Sequence, residues 1–312
     1  MSQPQDDSSS SRYGAVGKEA DPTPTVYDKG ELILVDRPAD HVLRVTLNRP
    51  EKRNALNHQL RGELIHALQV GDSDPDVRVM IVRGGGSCFS AGYDLGGGND
   101  GFDMPHFTSP GEGQWPRHVT ETWMGIWDMS KPVIAQVHGY CLAGGSELAT
   151  GCDLVYVAED AQMGYPAVRF GVPDMHFHAW FLGMRAAMEM MLTGDSISGT
   201  EAARLGWANR AFPAEDLDAE VLAVAQRITQ LPPDITSINK RTVHRQMEVM
   251  GMRTGIRQGT DLCSLGIHQE SFAKFIDAIS TEGLTAALEE RDEPFGDYRT
   301  TEAHAPTQGT AG

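Results

Sequence analysis

The sequence predicts an α/β fold, and three observations carry that prediction. Near the amino terminus, two short apolar stretches, a segment with helical apolar spacing and a third apolar stretch follow in β-β-α-β order. In the middle, two strand-like runs flank a segment rich in glycine. Beyond residue 179 the apolar spacing becomes helical to the end of the patterned region.

Each element has a local reason. Residues 32–35 and 42–47 are short apolar runs joined by Arg37-Pro-Ala-Asp-His41, a connection suited to a hairpin. Between 55 and 70, Leu56, Leu60, Leu64, Ile65 and Leu68 fall at helical spacing and give one buried face. A strand at 78–83 ends in Gly84-Gly-Gly86, and the Gly-, Pro- and Asp-rich stretch 99–115 reads as a loop over a site. Strands are expected at 133–137 and 154–157, and helices near 184–192, 198–205, 217–230, 234–250 and 252–279. The domain is expected to span 31–298, its carboxyl-terminal part helical from about residue 215, between disordered tails at 1–30 and 299–312.

Composition narrows the function classes. Of 312 residues 40% are hydrophobic, enough for a substantial core without staples. Lys and Arg number 26 against 43 Asp and Glu, and the net charge of −17 argues against a general nucleic-acid or anionic-membrane surface. A polyanionic ligand would need a locally basic pocket. Cys88, Cys141, Cys152 and Cys263 lack metal-type pair spacing and read as reduced, packed thiols. No apolar run approaches the roughly 20 residues of a membrane span. The opening is polar, acidic and Ser-rich, unlike a secretion signal, so a cytoplasmic location is expected.

The glycine-rich segments fail the tests for nucleotide binding. None has dinucleotide spacing, and no glycine-Lys-Ser/Thr phosphate loop occurs. A serine-hydrolase elbow is also excluded, because Leu148 stands where its second glycine is needed. Asp174, His176 and His178 alternate, so on an extended strand they would share a face. They could ligate a metal, line a pocket or be ordinary hydrogen-bonded side chains. No further ligand is evident, and no metal site is expected.

Two segments carry the chemistry: Cys88-Phe-Ser-Ala-Gly-Tyr-Asp-Leu95, and Lys131-Pro-Val-Ile-Ala-Gln-Val-His-Gly-Tyr-Cys-Leu-Ala-Gly-Gly-Ser-Glu-Leu-Ala-Thr-Gly-Cys-Asp153. In both, in the right order and separation, the chain resembles the crotonase (enoyl-CoA hydratase/isomerase) superfamily. The resemblance continues through Ala161-Gln-Met-Gly164, Leu192-Thr-Gly-Asp195, Ala202-Ala-Arg-Leu-Gly206 and Glu282-Gly-Leu-Thr-Ala-Ala-Leu-Glu-Glu-Arg291. It implies a spiral of repeated ββα units, a carboxyl-terminal helical segment for trimerisation, and a homotrimer or a hexamer of paired trimers.

The resemblance also implies the site. A thioester oxygen would sit between the N–H groups of Tyr93, which follows Ala91-Gly92, and of Gly144. Such donors stabilise an enolate, each typically by about 3–4 kcal/mol, and being main-chain atoms they leave the side chain at 93 free to vary. Glycines at 144 and 145 permit close approach to a ligand, and a helix beginning near Ser146 would aim its positive end at the oxygen. Lys52 and Arg53 are candidates for coenzyme A phosphates, with Lys240, Arg241 and Lys274 as weaker ones. Ala91, Gly92 and Asp94 line the substrate side. No cofactor beyond the coenzyme A moiety of the substrate is implied.

The sequence departs from the family at the reaction itself. Hydratases of this family use two glutamates, one to activate water and one to deliver a proton. Glu147 matches the first. Tyr165-Pro-Ala167 stands where the family has Q-P-E, so Ala167 replaces the second. The following turn, Gly171-Val-Pro-Asp-Met-His-Phe-His178, is one residue shorter before Pro173 and lacks the family's double glycine. Asp174 stands near the place of a carboxylate used by some isomerases, and Tyr165, His176 and His178 would add polar groups. The expected activity is enoyl-CoA hydratase-like, with isomerisation, carbon–carbon hydrolysis of an unusual acyl-CoA, or a catalytically weak acyl-CoA-binding subunit as alternatives.

Overall fold

The computed structural model describes residues 32–96, 113–172 and 177–296. The expected tails lie outside them, as do Asp174, His176 and most of the expected loop at 99–115. Strands β1 (Ile33–Ala39) and β2 (Val42–Leu47) form an antiparallel hairpin with Ile33 opposite Leu47. Helix α1 spans His58–Ser73. It starts later than the apolar spacing suggests because Asn57 Oδ1 accepts the Leu60 amide at 2.8 Å and caps the first turn. Strand β3 (Val79–Gly84) lies parallel to β2.

Helix α2 (Gln114–Asp128) is an element that the sequence reading did not anticipate, and it corrects the loop's end: Trp115 is helical. The signal was present. Trp115, Val119, Trp123, Ile126 and Trp127 recur at helical spacing, and Val119, Trp123 and Ile126 are wholly buried. Strand β4 (Val133–Val137) follows, then β5 (Tyr140–Leu142), helix α3 (Gly144–Gly151), β6 (Leu154–Ala158) and β7 (Gln162–Gly164). A 3-10 turn at Pro166–Phe170 leads on towards helix α4 (His178–Thr193). That helix begins earlier than expected and is interrupted at Gly183, whose φ is 73°. Strand β8 (Ser196–Ser198), helix α5 (Gly199–Leu205) and strand β9 (Arg210–Phe212) complete the mixed region.

The order β1-β2-β3-β4-β6-β9 makes one six-stranded sheet, parallel from β2 onward, and β5-β7-β8 make a second, three-stranded sheet. Every residue of β4 is buried, as expected for a parallel strand covered on both faces. The second sheet matters most for function. It carries the chain from β5 into α3 while β7 holds the β5–α3 turn by accepting the Ala143 amide at Gly164 O, 2.9 Å away.

From Leu217 on, the described elements are all helices: α6 (Leu217–Ile228), α7 (Pro233–Val249), α8 (Met252–Gly266), α9 (Glu270–Glu282) and α10 (Leu284–Asp292). The single helix expected over 252–279 is two helices, broken after Gly266. Among the described residues no helix is long and apolar enough to cross a membrane.

Lys240 of α7 ties this helical part to the sheet. Its buried ammonium lies 2.9 Å from Asp153 Oδ2 and donates to the carbonyls of Ile126 and Lys131 at 2.8 and 3.0 Å. Asp153 in turn accepts the Val133 amide at 2.7 Å, at the start of β4. Lys240 is thus engaged inside its own subunit, which removes it as a candidate for coenzyme A phosphates. Removing one partner of a buried pair leaves the other charge uncompensated, so Lys240→Ala should cost roughly 3–5 kcal/mol of unfolding free energy. Urea denaturation checks this, and a loss below about 1 kcal/mol would show that water replaces the ammonium.

Candidate active site

The site is built where two loops meet, and backbone bonds hold the meeting together. Asn54 is wholly buried at φ 53°. Its side chain donates to the carbonyls of Gly85 and Cys88, both at 2.8 Å, and accepts the Arg49 amide at 2.9 Å. Ser90 Oγ donates to Asn54 O at 2.9 Å, and the Leu56 and Ala91 amides donate to Gly92 O and Arg53 O. Segment 48–56 is therefore bound edge to edge with segment 85–94. From the other side, Ser90 O accepts the Leu142 amide at 3.0 Å.

The close approach excludes side chains. A Cβ on Gly92, whose φ is 106°, would lie 2.9 Å from Leu142 O and 3.0 Å from Ala143 Cβ. A Cβ on Gly144 would lie 2.6 Å from the ring of Tyr93. The family pattern's small residues have this steric origin.

Helix α3 begins at Gly144, and all its residues are buried. Its first turn therefore starts two residues before the Ser146 expected from sequence. The preceding Ala143 has φ 46° and ψ −119°, a conformation that suits glycine, and costs of order 1–3 kcal/mol for other residues. Ser146 Oγ holds it by donating to Ala143 O at 2.7 Å. With that hydroxyl proton spent, His178 Nε2 is the donor in its 3.0 Å bond to Ser146 Oγ. The imidazole packs edge-on against Tyr165 and Trp207, at ring-centroid distances of 5.4 and 5.1 Å. His178 lies on a helix and supports the turn from beneath, so the extended-strand reading of its alternation with His176 fails at this residue. Tyr165 is likewise a core side chain.

Glu147, in the first turn of α3, has no solvent exposure. The hydroxyl of Tyr93 donates to its Oε2, and Trp123 Nε1 donates to the same hydroxyl at 3.0 Å. Trp115 stands edge-on to the Tyr93 ring with centroids 4.8 Å apart. Burial first, then the Glu147 charge, holds the Tyr93 phenol well above its usual range, so it stays a neutral donor. The phenol is thus part of the site, a correction to the view that only the backbone of residue 93 matters.

Arg61, from the buried face of α1, completes the surroundings. Its Cζ is 5.8 Å from the Tyr93 ring centroid, and its Nη2 donates to His58 Nδ1 at 2.6 Å. Sequence reasoning passed over it, although its place among Leu60, Leu64, Ile65 and Leu68 set a cation on an apolar face.

The remaining sequence candidates differ in their surroundings. Lys52 and Arg53 are exposed, and Arg53 O accepts the Ala91 amide, which sets the backbone of Arg53 against the segment that leads to Tyr93. Asp94 is ion-paired with Arg49 at 2.9 Å and caps the Gly96 amide at 3.0 Å, a bracing role for its carboxylate. Arg241 donates to Ser130 Oγ at 3.1 Å, and the exposed Lys274 pairs with Glu270 at 2.7 Å. Ala167 is buried in the 3-10 turn and offers only a methyl group. Among the described residues no group of three potential ligands could hold a metal ion.

Fold and site together define a crotonase-type enzyme. The chain belongs to the enoyl-CoA hydratase/isomerase family, whose model matches residues 38–298. It is 33% identical over 278 residues to a probable enoyl-CoA hydratase of Mycobacterium leprae, covering 86% of this chain and 98% of the relative. A mevalonyl-coenzyme A hydratase of Aspergillus fumigatus is 34% identical over 224 residues, covering 69% and 79%. A solved enoyl-CoA hydratase of Mycobacterium smegmatis aligns with a TM-score of 0.78 at 31% identity, covering 88% of this chain and 97% of that one.

The buried acids of the site give a pH dependence with a definite sign. Burial raises the Tyr93 phenol well above 10.0 and the Cys141 and Cys152 thiols above 9.0. The stability tied to these protons is fully present below about pH 9 and is lost as pH rises, because the unfolded chain releases them first. Urea midpoints should therefore fall from about pH 9 upward, and Tyr93→Phe should lessen the loss above about pH 10. Identical alkaline slopes for the two proteins would show that the phenol ionises as readily folded as unfolded.

Proposed function

We propose that this acyl-CoA enzyme of the hydratase/isomerase type holds a thioester oxygen between the N–H groups of Tyr93 and Gly144, with Glu147 as its retained catalytic carboxylate. The observation that carries the reading is the placement of Glu147. It sits one turn into the helix that begins at Gly144, buried, with the Tyr93 hydroxyl on its carboxylate. An enolate forming there would meet main-chain donors at a helix amino end, and the carboxylate would move the proton. Lys52 and Arg53 would take coenzyme A phosphates, and no cofactor beyond the substrate's own coenzyme A is needed. The cytoplasm, with its reduced thiols, suits the four free buried cysteines.

The chemistry departs from a two-glutamate hydratase. At Ala167 no proton donor is present, and on Glu147 a phenol occupies one carboxylate oxygen. A single carboxylate that removes a proton from one carbon and returns it to another suffices for double-bond isomerisation. The Tyr93–Glu147 bond is the specific support for that second reading. Mass analysis of products from straight-chain, branched, aromatic and cyclic enoyl- and oxoacyl-CoA thioesters separates water gain from isomerisation and cleavage.

Glu147→Gln should keep thioester affinity while turnover falls about 10²–10⁴-fold, since the amide cannot act as a base. On crotonyl-CoA the unmodified protein should hydrate at least about 10²-fold more slowly than a two-glutamate relative, and Ala167→Glu should recover part of the rate. Efficient crotonyl-CoA hydration by the unmodified protein would overturn this reading of the missing carboxylate. Retained turnover in Glu147→Gln would move the proton transfer to another group.

The assembly we propose is a homotrimer or paired trimers. Its support is the exposed apolar side chains of the helical part: Val249 at the end of α7 and Met250 just after it, Leu262 and Leu265 on α8, Ile276 on α9. Light scattering at micromolar concentration should show a trimer or hexamer that survives removal of residues 1–25, and a monomer would refute it.

A further inference from the structure

We infer that Arg61 selects the acyl group: the thioester this site accepts carries an oxygen acceptor on its acyl chain, with a carboxylate the best match, rather than a plain hydrocarbon tail. This rests on the acyl-CoA reading above and goes beyond it to the substrate's chemistry.

The argument starts from hydrogen-bond accounting. A guanidinium has five N–H donors and no acceptor, and it stays charged at neutral pH. Arg61 is 2% exposed, so water cannot satisfy those donors from bulk. One partner is provided: His58 Nδ1 accepts from Nη2 at 2.6 Å, which requires that ring nitrogen to be unprotonated. Nε and Nη1 are buried without a hydrogen-bond partner. Among the described residues no carboxylate lies within ion-pair distance of the guanidinium. Buried cations in folded proteins are ordinarily paired, so these donors form an unfilled half of an interaction.

Location says what fills it. The guanidinium carbon lies 5.8 Å from the centre of the Tyr93 ring, and that ring lies on Gly144 while its hydroxyl binds Glu147. The charge of Glu147 acts on Arg61 through space, although no ion pair joins them. The unmet donors therefore lie in the same buried neighbourhood as the proposed reacting groups. On α1, Arg61 is the charged member of an otherwise apolar buried face made of Leu60, Leu64, Ile65 and Leu68. A hydrocarbon tail entering there would leave Nε and Nη1, with three N–H donors between them, unmet. A carboxylate, hydroxyl or carbonyl oxygen would satisfy at least one, and a carboxylate would also offset the charge.

The test compares binding of saturated thioesters by calorimetry: butyryl-CoA as the plain chain, 3-hydroxybutyryl-CoA and acetoacetyl-CoA as neutral oxygenated chains, and succinyl-CoA and glutaryl-CoA as carboxylated ones. At least one oxygenated thioester should bind about 10²-fold tighter than butyryl-CoA, because a site built to hydrogen-bond a group rejects the analogue that lacks it. Preference for the carboxylated pair identifies an anion, and preference for the neutral pair identifies a hydroxyl or carbonyl. Arg61→Met should erase the preference, and Arg61→Lys should retain part of it for a carboxylate. A purely structural arginine predicts the reverse: Arg61→Met would lower the melting temperature and leave the affinity ratio unchanged. Should that variant fail to fold, the unmodified protein's ratio still decides. Equal affinity for butyryl-CoA and every oxygenated thioester sinks this inference alone, whereas failure of all five to bind sinks the acyl-CoA reading beneath it.

Discussion

Everything at the site depends on how closely the Ala91–Tyr93 segment can approach the amino end of α3. Atoms of a side chain at 92 or 144 would fall inside contact distance of Leu142 O or the Tyr93 ring. Because both positions are glycine, two main-chain segments far apart in sequence lie side by side. The cost is local strain at Ala143, whose left-handed φ is kept by bonds from Ser146 and to Gly164. His178 and Asn54 serve that same junction, one beneath the turn and the other across segments 48–56 and 85–94.

A second consequence is electrostatic. Closing the junction takes Glu147, the Tyr93 hydroxyl and Arg61 out of water together, where each interaction is stronger and each unmet donor costs more. The carboxylate is bonded by a neutral phenol whose proton burial retains. Position 167 offers no carboxylate, while the phenol of Tyr93 and the guanidinium of Arg61 surround Glu147.

The helical carboxyl part serves the site indirectly. Lys240 joins α7 to the end of α2 and to Asp153, and α2 supplies Trp115 and Trp123 around Tyr93. A helix far from the chemistry therefore helps to set the orientation of the phenol. The Cys152-Asp153 end of the second motif finds its purpose here, as a structural anchor.

The sequence by itself determined the α/β class, the opening β-β-α-β order, strands β4 and β6, the two loops, and the positions that must lack side chains. These follow from local periodicity and from residue types with few uses: strand alternation, helical spacing and glycine where backbones meet. It also showed that Ala167 cannot move a proton. Only the tertiary structure decided that Tyr93 meets Glu147 and Trp123 and that Arg61 lies against the Tyr93 ring, because these partners come from elements distant in the chain. Asp94 and Lys240 looked like ligand contacts by position and charge, but both are engaged within the fold, by Arg49 and Asp153. Helix α2 was missed for a related reason. Its aromatic stripe reads as a helix only once the loop before it ends, and its role appears only when Trp123 meets a tyrosine from another segment. Sequence spacing specifies which backbone can form, while burial and hydrogen-bond partners in space decide which side chains are left to meet a substrate.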